Sequence, residues 1–200
     1  MQVFLKIYLP VYLLIYLAVT FILPSYRTWK QTGINPVTFG KEDTAHNYIG
    51  FIMKLLIALL FIMTLLYSVS SRLYNYLMPV WYMENQFFPI TGLTIIHVDL
   101  VWIIIAQYQM SNSWRIGIDE ANKTQLVTNG VFSISRNPIF LGMIATVLGL
   151  FLILPNALSF FLTLTSYFII QIQIRLEEEF LERQHRRSYQ DYKSKTRRLI

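Results

Sequence analysis

Apolar residues run through this chain in long unbroken blocks, without the alternation of a half-buried strand. Val3–Leu23 carries one charge, Lys6, and Ile49–Val69 carries one, Lys54, close enough to an end to snorkel. Pro89–Tyr108 carries a single acid, Asp99, near its middle. Each block reaches the roughly 20 apolar residues that a helix needs to cross a bilayer. Pro138–Leu154 and Ala157–Ile174 are shorter and are separated by Pro155-Asn156, a turn signal, so they read as a tight helical hairpin. The alternative, one long broken helix, exceeds a single span. The first block is too long for a signal-peptide core and lacks a small-residue cleavage site, so it reads as a span. Beyond the fifth block, Arg175–Lys195 reads as one helix continuing straight from it. The acids Glu177, Glu178, Glu179 and Glu182 lead and the bases follow, as the helix dipole favours. The pattern predicts an all-α polytopic membrane protein: about five transmembrane helices, a C-terminal helical hairpin and a cytoplasmic tail helix.

Composition agrees. Hydrophobic residues make up 54% of the chain and charged residues 14%, against about 25% in a soluble domain. This excludes an ordinary soluble protein and a disordered one. There is no cysteine, so disulfides, thiolate metal sites and cysteine nucleophiles are excluded together. The net charge of +6 matters through its placement. Arg27, Lys30 and Lys41 lie in loop 24–48, and Arg115, Lys123 and Arg136 lie in loop 109–137. Eight more, Arg175 to Arg198, lie in the tail. With five spans these three regions share one side, which holds fourteen basic residues, and the other side holds Arg72. The positive-inside rule predicts a cytoplasmic C-terminus and an external N-terminus, in a bacterial inner membrane or an endomembrane. It also assigns most of the basic residues to orientation and to anionic membrane lipids, which argues against nucleic acid as a partner. Residues 1–200 read as a single membrane domain, with three spans in 1–109 and the hairpin and tail in 110–200.

His46, His97 and His185 are too dispersed for a metal site, and no metal is expected. Gly-x-Gly-x-x-Gly, a P-loop and a Gly-x-Ser-x-Gly elbow are all lacking. What remains is a pair of polar clusters flanking the hairpin on its cytoplasmic side. Gly130-Val-Phe-Ser-Ile-Ser-Arg136-Asn137-Pro138-Ile-Phe140 enters the fourth span, and Arg175-Leu-Glu177-Glu178-Glu179-Phe-Leu181 leaves the fifth, followed by Tyr189 and Tyr192. A hairpin brings these clusters together at one membrane face.

This pattern resembles the superfamily of isoprenylcysteine carboxyl methyltransferases and phospholipid methyltransferases. The family's Gly-x-Tyr/Phe, Arg-His-Pro-x-Tyr, Glu-Glu-x-x-Leu and Tyr-x-x-Tyr correspond to Gly130-Val131-Phe132, Arg136-Asn137-Pro138-Ile139-Phe140, Glu177-Glu178-Glu179-Phe180-Leu181 and Tyr189-Gln-Asp-Tyr192. Ser113–Asp119 resembles a bacterial branch, and the resemblance covers roughly residues 110–198. It implies S-adenosylmethionine as cofactor at the cytoplasmic end of the last spans, with a lipophilic or lipidated acceptor entering from the bilayer. It implies catalytic roles for Arg175 and Glu178. It implies cofactor contacts from Gly130, Arg136, Asn137, Pro138, Phe140, Glu177, Glu178, Tyr189 and Tyr192. Three positions depart from the family: Asn137 replaces its histidine, Phe140 its second tyrosine, and His185-Arg186 its Phe-Gly. Asn137 can hold a cofactor by hydrogen bonds but cannot take up a full proton.

Alternatives stay open beside this reading. Arg136 could merely mark a basic helix end, and which of Glu177 and Glu178 faces the pocket is undecided. Arg175 could clamp an anion or snorkel. Asp99 could pair with Lys54 or Arg115, and Trp114-Arg115 could line the mouth or anchor at the interface. A membrane NADPH-dependent reductase of the sterol type and a non-catalytic membrane scaffold are the rival functions. The acceptor and the oligomeric state are not legible.

Overall fold

The computed structural model describes residues 1–200 apart from 41, 42, 84, 120, 121 and 123, and apart from the side chain of residue 112. Lys41 and Lys123 therefore lie outside the described residues. Helix α1 (Gln2–Leu17) passes through a π-helical turn (Ala18–Ile22) into α2 (Leu23–Thr32). Next come α3 (Ala45–Val69), the short α4 (Ser71–Asn75) and α5 (Phe87–Met110). The chain ends in α6 (Pro138–Ile153), α7 (Ala157–His185) and α8 (Arg187–Lys195). Gln2–Thr32, α3, α5 and α7 are long and apolar enough to cross a membrane, and α6 is a shorter apolar helix of 16 residues. The five expected spans each have a helix.

Their ends follow local chemistry. The Thr44 side chain accepts the Asn47 N–H to start α3. Pro138 opens α6 at its first turn, where a missing N–H costs nothing. Asn156 starts α7 in a reciprocal capping box with Ser159. Gly33 ends α2 in the left-handed conformation, φ 71°. The region from residue 24, expected as loop, is thus helical to Thr32, where Arg27 Nη2 donates to the Gln107 carbonyl of α5 at 3.0 Å.

Gly92, Gly142 and Gly149 let α5 and α6 approach closely. A Cβ on Gly92 would lie 2.5 Å from the Gly149 carbonyl oxygen, and one on Gly142 would lie 2.4 Å from Ile103 Cγ1. Small residues replace the hydrophobic drive that lipid does not supply between helices. Large apolar side chains such as Ile7, Val69, Val98 and Phe161 stay exposed on the outside of the bundle, the surface a bilayer covers.

One expectation is corrected. The tail is not one straight helix. It breaks at Arg186, with φ 47° and ψ −117°, and α8 folds back beside α7, where Lys193 Nζ meets Glu182 Oε2 at 3.2 Å. A straight helix would leave Tyr189 and Tyr192 in water. The fold-back buries both, and the Tyr192 hydroxyl donates to the Phe132 carbonyl at 2.6 Å. The structure also decides between the partners left open for Asp99. Asp99 accepts from Thr146 Oγ1 at 2.9 Å, while Lys54 sits over the Phe39 ring and Arg115 pairs with Asp119.

The connections collect at two ends. Isolated bridges join Val37 to Ile116 and Ser135 to Arg197 at the basic end. At the other, Pro79 bridges to Asn156 and Lys6 Nζ donates to Ser71 Oγ at 3.2 Å.

Candidate functional site

The two polar clusters meet at the basic end. Glu178, on α7, is buried and is the hub. Arg136 Nε and Nη2 lie 3.0 and 2.9 Å from its Oε1, and Asn137 Nδ2 donates to the same oxygen at 3.2 Å. Arg198 Nε and Nη2 each lie 2.9 Å from Oε2. Arg136 Nη1 also donates to the carbonyls of Lys193 and Thr196. The Tyr189 hydroxyl lies within reach of the same guanidinium.

Beside this hub lies a cavity of about 810 Å³, part of it open to solvent. Arg136, Asn137, Pro138 and Phe140 line one wall, from the start of α6. Gln173, Glu177 and Leu181 line another, from α7. Trp114 and Arg115 line it as well. The Asn137 side chain does not cap α6, because its amide is spent on Glu178 and the Arg198 carbonyl. The first-turn N–H groups of α6 therefore lack a side-chain acceptor, and they sit where the helix dipole favours an anion. Glu177 takes one hydrogen bond, from Gln173 Nε2 at 2.9 Å, on Oε1 alone. Gln173 is buried, and its Oε1 has no partner among the described residues.

A second cavity, about 670 Å³, lies deeper between α1, α3, α6 and α7. Its walls are Leu, Ile, Phe, Met and Val with the hydroxyl-bearing Tyr16, Thr146 and Ser166. Phe21, Met53 and Met143 line both cavities, so these three side chains stand between the polar one and the apolar one. The π-helical turn lies at this junction. The Thr20 carbonyl within it accepts from Gln107 Nε2 at 2.6 Å, and both residues line the polar cavity.

A family model for phospholipid methyltransferase matches residues 87–188. The chain belongs to that family. No curated protein matches it. Membership makes the protein an integral membrane methyltransferase, and the match spans α5 through the hairpin to the start of α8, which supply most of the polar cavity's lining; Thr20, Phe21, Phe39 and Met53 line it from outside the match. Of the expected residues, this methyltransferase brings Arg136, Asn137, Pro138, Phe140 and Glu177 to the cavity wall. Glu178 supports that wall from behind, inside its ion pairs. Tyr189 and Tyr192 also lie behind it, their rings 6.1 Å apart and edge to face. Burial pushes the Tyr192 hydroxyl up to about 12, so it remains a hydrogen-bond donor. Gly130 turns with φ 60° against the Gln109 side chain, whose Oε1 accepts the Val131 N–H at 2.9 Å, and it does not line the cavity. Arg175 is not brought to the site. It is exposed and donates to its own helix, at Gln171. The Arg115 guanidinium holds the Asp119 carboxyl below its ordinary range against the opposing effect of burial.

Sequence reasoning missed Gln173, Gln107 and Thr20. A glutamine inside an apolar block was the available signal, since its amide needs partners that lipid does not offer.

Proposed function

We propose that this family member transfers a methyl group from S-adenosylmethionine to a lipophilic acceptor. The observation that carries the reading is a charged, amide-lined cavity set against an apolar one inside the bundle, the two sharing Phe21, Met53 and Met143 as walls. The residues present fit the cofactor. The charge of Arg136 and the first turn of α6 suit its carboxylate, Glu177 suits its ammonium or ribose hydroxyls, and Trp114, Phe132 and Phe140 suit adenine. When bound, it supplies an activated methyl group for in-line displacement by the acceptor. The chain's own part is to hold both partners in line and exclude water, and no metal or cysteine is required for that. Asn137 cannot take up a full proton, which suits an acceptor that is already ionised or readily becomes so. The apolar cavity suits the acceptor's hydrocarbon, with the reacting atom at the Phe21–Met53–Met143 junction.

Isothermal titration of the purified protein with S-adenosylmethionine and with NADPH tests the cofactor. Binding of S-adenosylmethionine alone supports the reading, and binding of NADPH alone refutes it. Methyl labelling of membrane extracts with and without the protein then tests the acceptor, which should partition into the organic phase.

A further inference from the structure

Residues 193–198 reach back over the entry to α6 and supply acceptors to it. The Arg136 N–H donates to the Arg197 carbonyl at 3.0 Å, and Asn137 Nδ2 donates to the Arg198 carbonyl at 3.1 Å. The Arg198 side chain does something different. It occupies Glu178 Oε2 with two nitrogens, while Arg136 occupies Oε1 with two of its own. Two guanidiniums thus share one carboxylate, one oxygen each. A fork of this kind would otherwise match both oxygens of a carboxylate.

This sharing has two effects at the cavity wall. The cluster of Arg136, Glu178 and Arg198 keeps one net positive charge, where an Arg136–Glu178 pair alone would be neutral. Arg136 is also held to one side of the carboxylate while it lines the polar cavity. Only 8% of the Arg136 side chain is accessible, so its charge is poorly screened by water, whereas Arg198 is 37% accessible and lines neither cavity.

We propose that Arg198 is a positioning residue: through Glu178 it sets the orientation and net charge with which Arg136 recognises a ligand carboxylate in the polar cavity. The proposal rests on the cofactor reading above, in which that carboxylate belongs to the amino-acid end of S-adenosylmethionine. Arg198 touches no ligand itself. Its effect is confined to ligands that carry the carboxylate, and a purely structural residue would have no such selectivity.

The test uses the full chain in detergent and two ligands, S-adenosylmethionine and its decarboxylated form, which lacks only that carboxylate. Arg198→Ala is expected to weaken S-adenosylmethionine binding by roughly tenfold or more and to leave the decarboxylated ligand unchanged. Arg198→Lys should restore part of the difference, because it returns the charge without the fork. Equal weakening of both ligands, with a lowered unfolding temperature, would make Arg198 merely structural and overturn the proposal. Unchanged binding of both would overturn it too. A parent protein that binds neither ligand refutes the cofactor reading itself and the proposal with it.

Discussion

Glu177 and Glu178 are neighbours in sequence with opposite tasks. Glu178 turns into the protein and satisfies two guanidiniums and an amide, and Glu177 turns to the cavity with one oxygen unclaimed. The same substitution should therefore act differently at the two positions. Glu178→Gln removes the anion from a buried cluster and should destabilise by about 3 kcal/mol, read as a lowered unfolding temperature in detergent. Glu177→Gln should unfold as the parent does and show its loss only in cofactor binding or turnover. Reversed effects would exchange the two roles.

Among the elements, the turn between α7 and α8 is strained, as is the end of α5 at Ser111, φ 48° and ψ −123°. Arg186 adopts φ 47° and ψ −117°, a conformation open to glycine at little cost but not to a side chain bearing Cβ. Two buried tyrosines and the tail's contacts with Ser135–Asn137 offset that strain. Arg186→Gly should raise stability by about 1–2 kcal/mol and leave ligand binding unchanged. A fall in the unfolding temperature would show instead that the Arg186 side chain makes a needed contact. The α5–α6 crossing sets a limit of another kind. There a Cβ on Gly92 meets backbone, which cannot swing aside, whereas one on Gly50 meets only the Phe39 ring.

At the scale of the whole molecule, the structure gathers the loops predicted to be cytoplasmic at one end, and the charge count makes that orientation a prediction. With no native cysteine, single replacements give a clean readout. Ser133→Cys and Ser194→Cys, both at exposed positions on the basic end, should react only with reagents that cross the membrane. Ser71→Cys, exposed at the other end, should react with impermeant ones. The opposite pattern would invert the protein and deny the cavity cytosolic cofactor.

The sequence by itself determined the number of membrane helices, the hairpin at Pro155-Asn156 and the convergence of Arg136 with the Glu177–Glu178 pair. Apolar block length and turn residues are local properties, and a tight hairpin leaves its two ends no choice but to meet. Tertiary structure alone decided which glutamate faces the cavity, because α7 carries no strong one-sided stripe to set its rotation. It alone folded the tail back at Arg186, since the burial of Tyr189 and Tyr192 depends on Phe132, a partner distant in sequence. It also placed Arg175 outside the site, gave Asp99 to Thr146 rather than to a cation, and set the two cavities side by side with Phe21, Met53 and Met143 between them. Each of these turns on which helix faces come together, and that is a property of packing between elements rather than of any segment read alone.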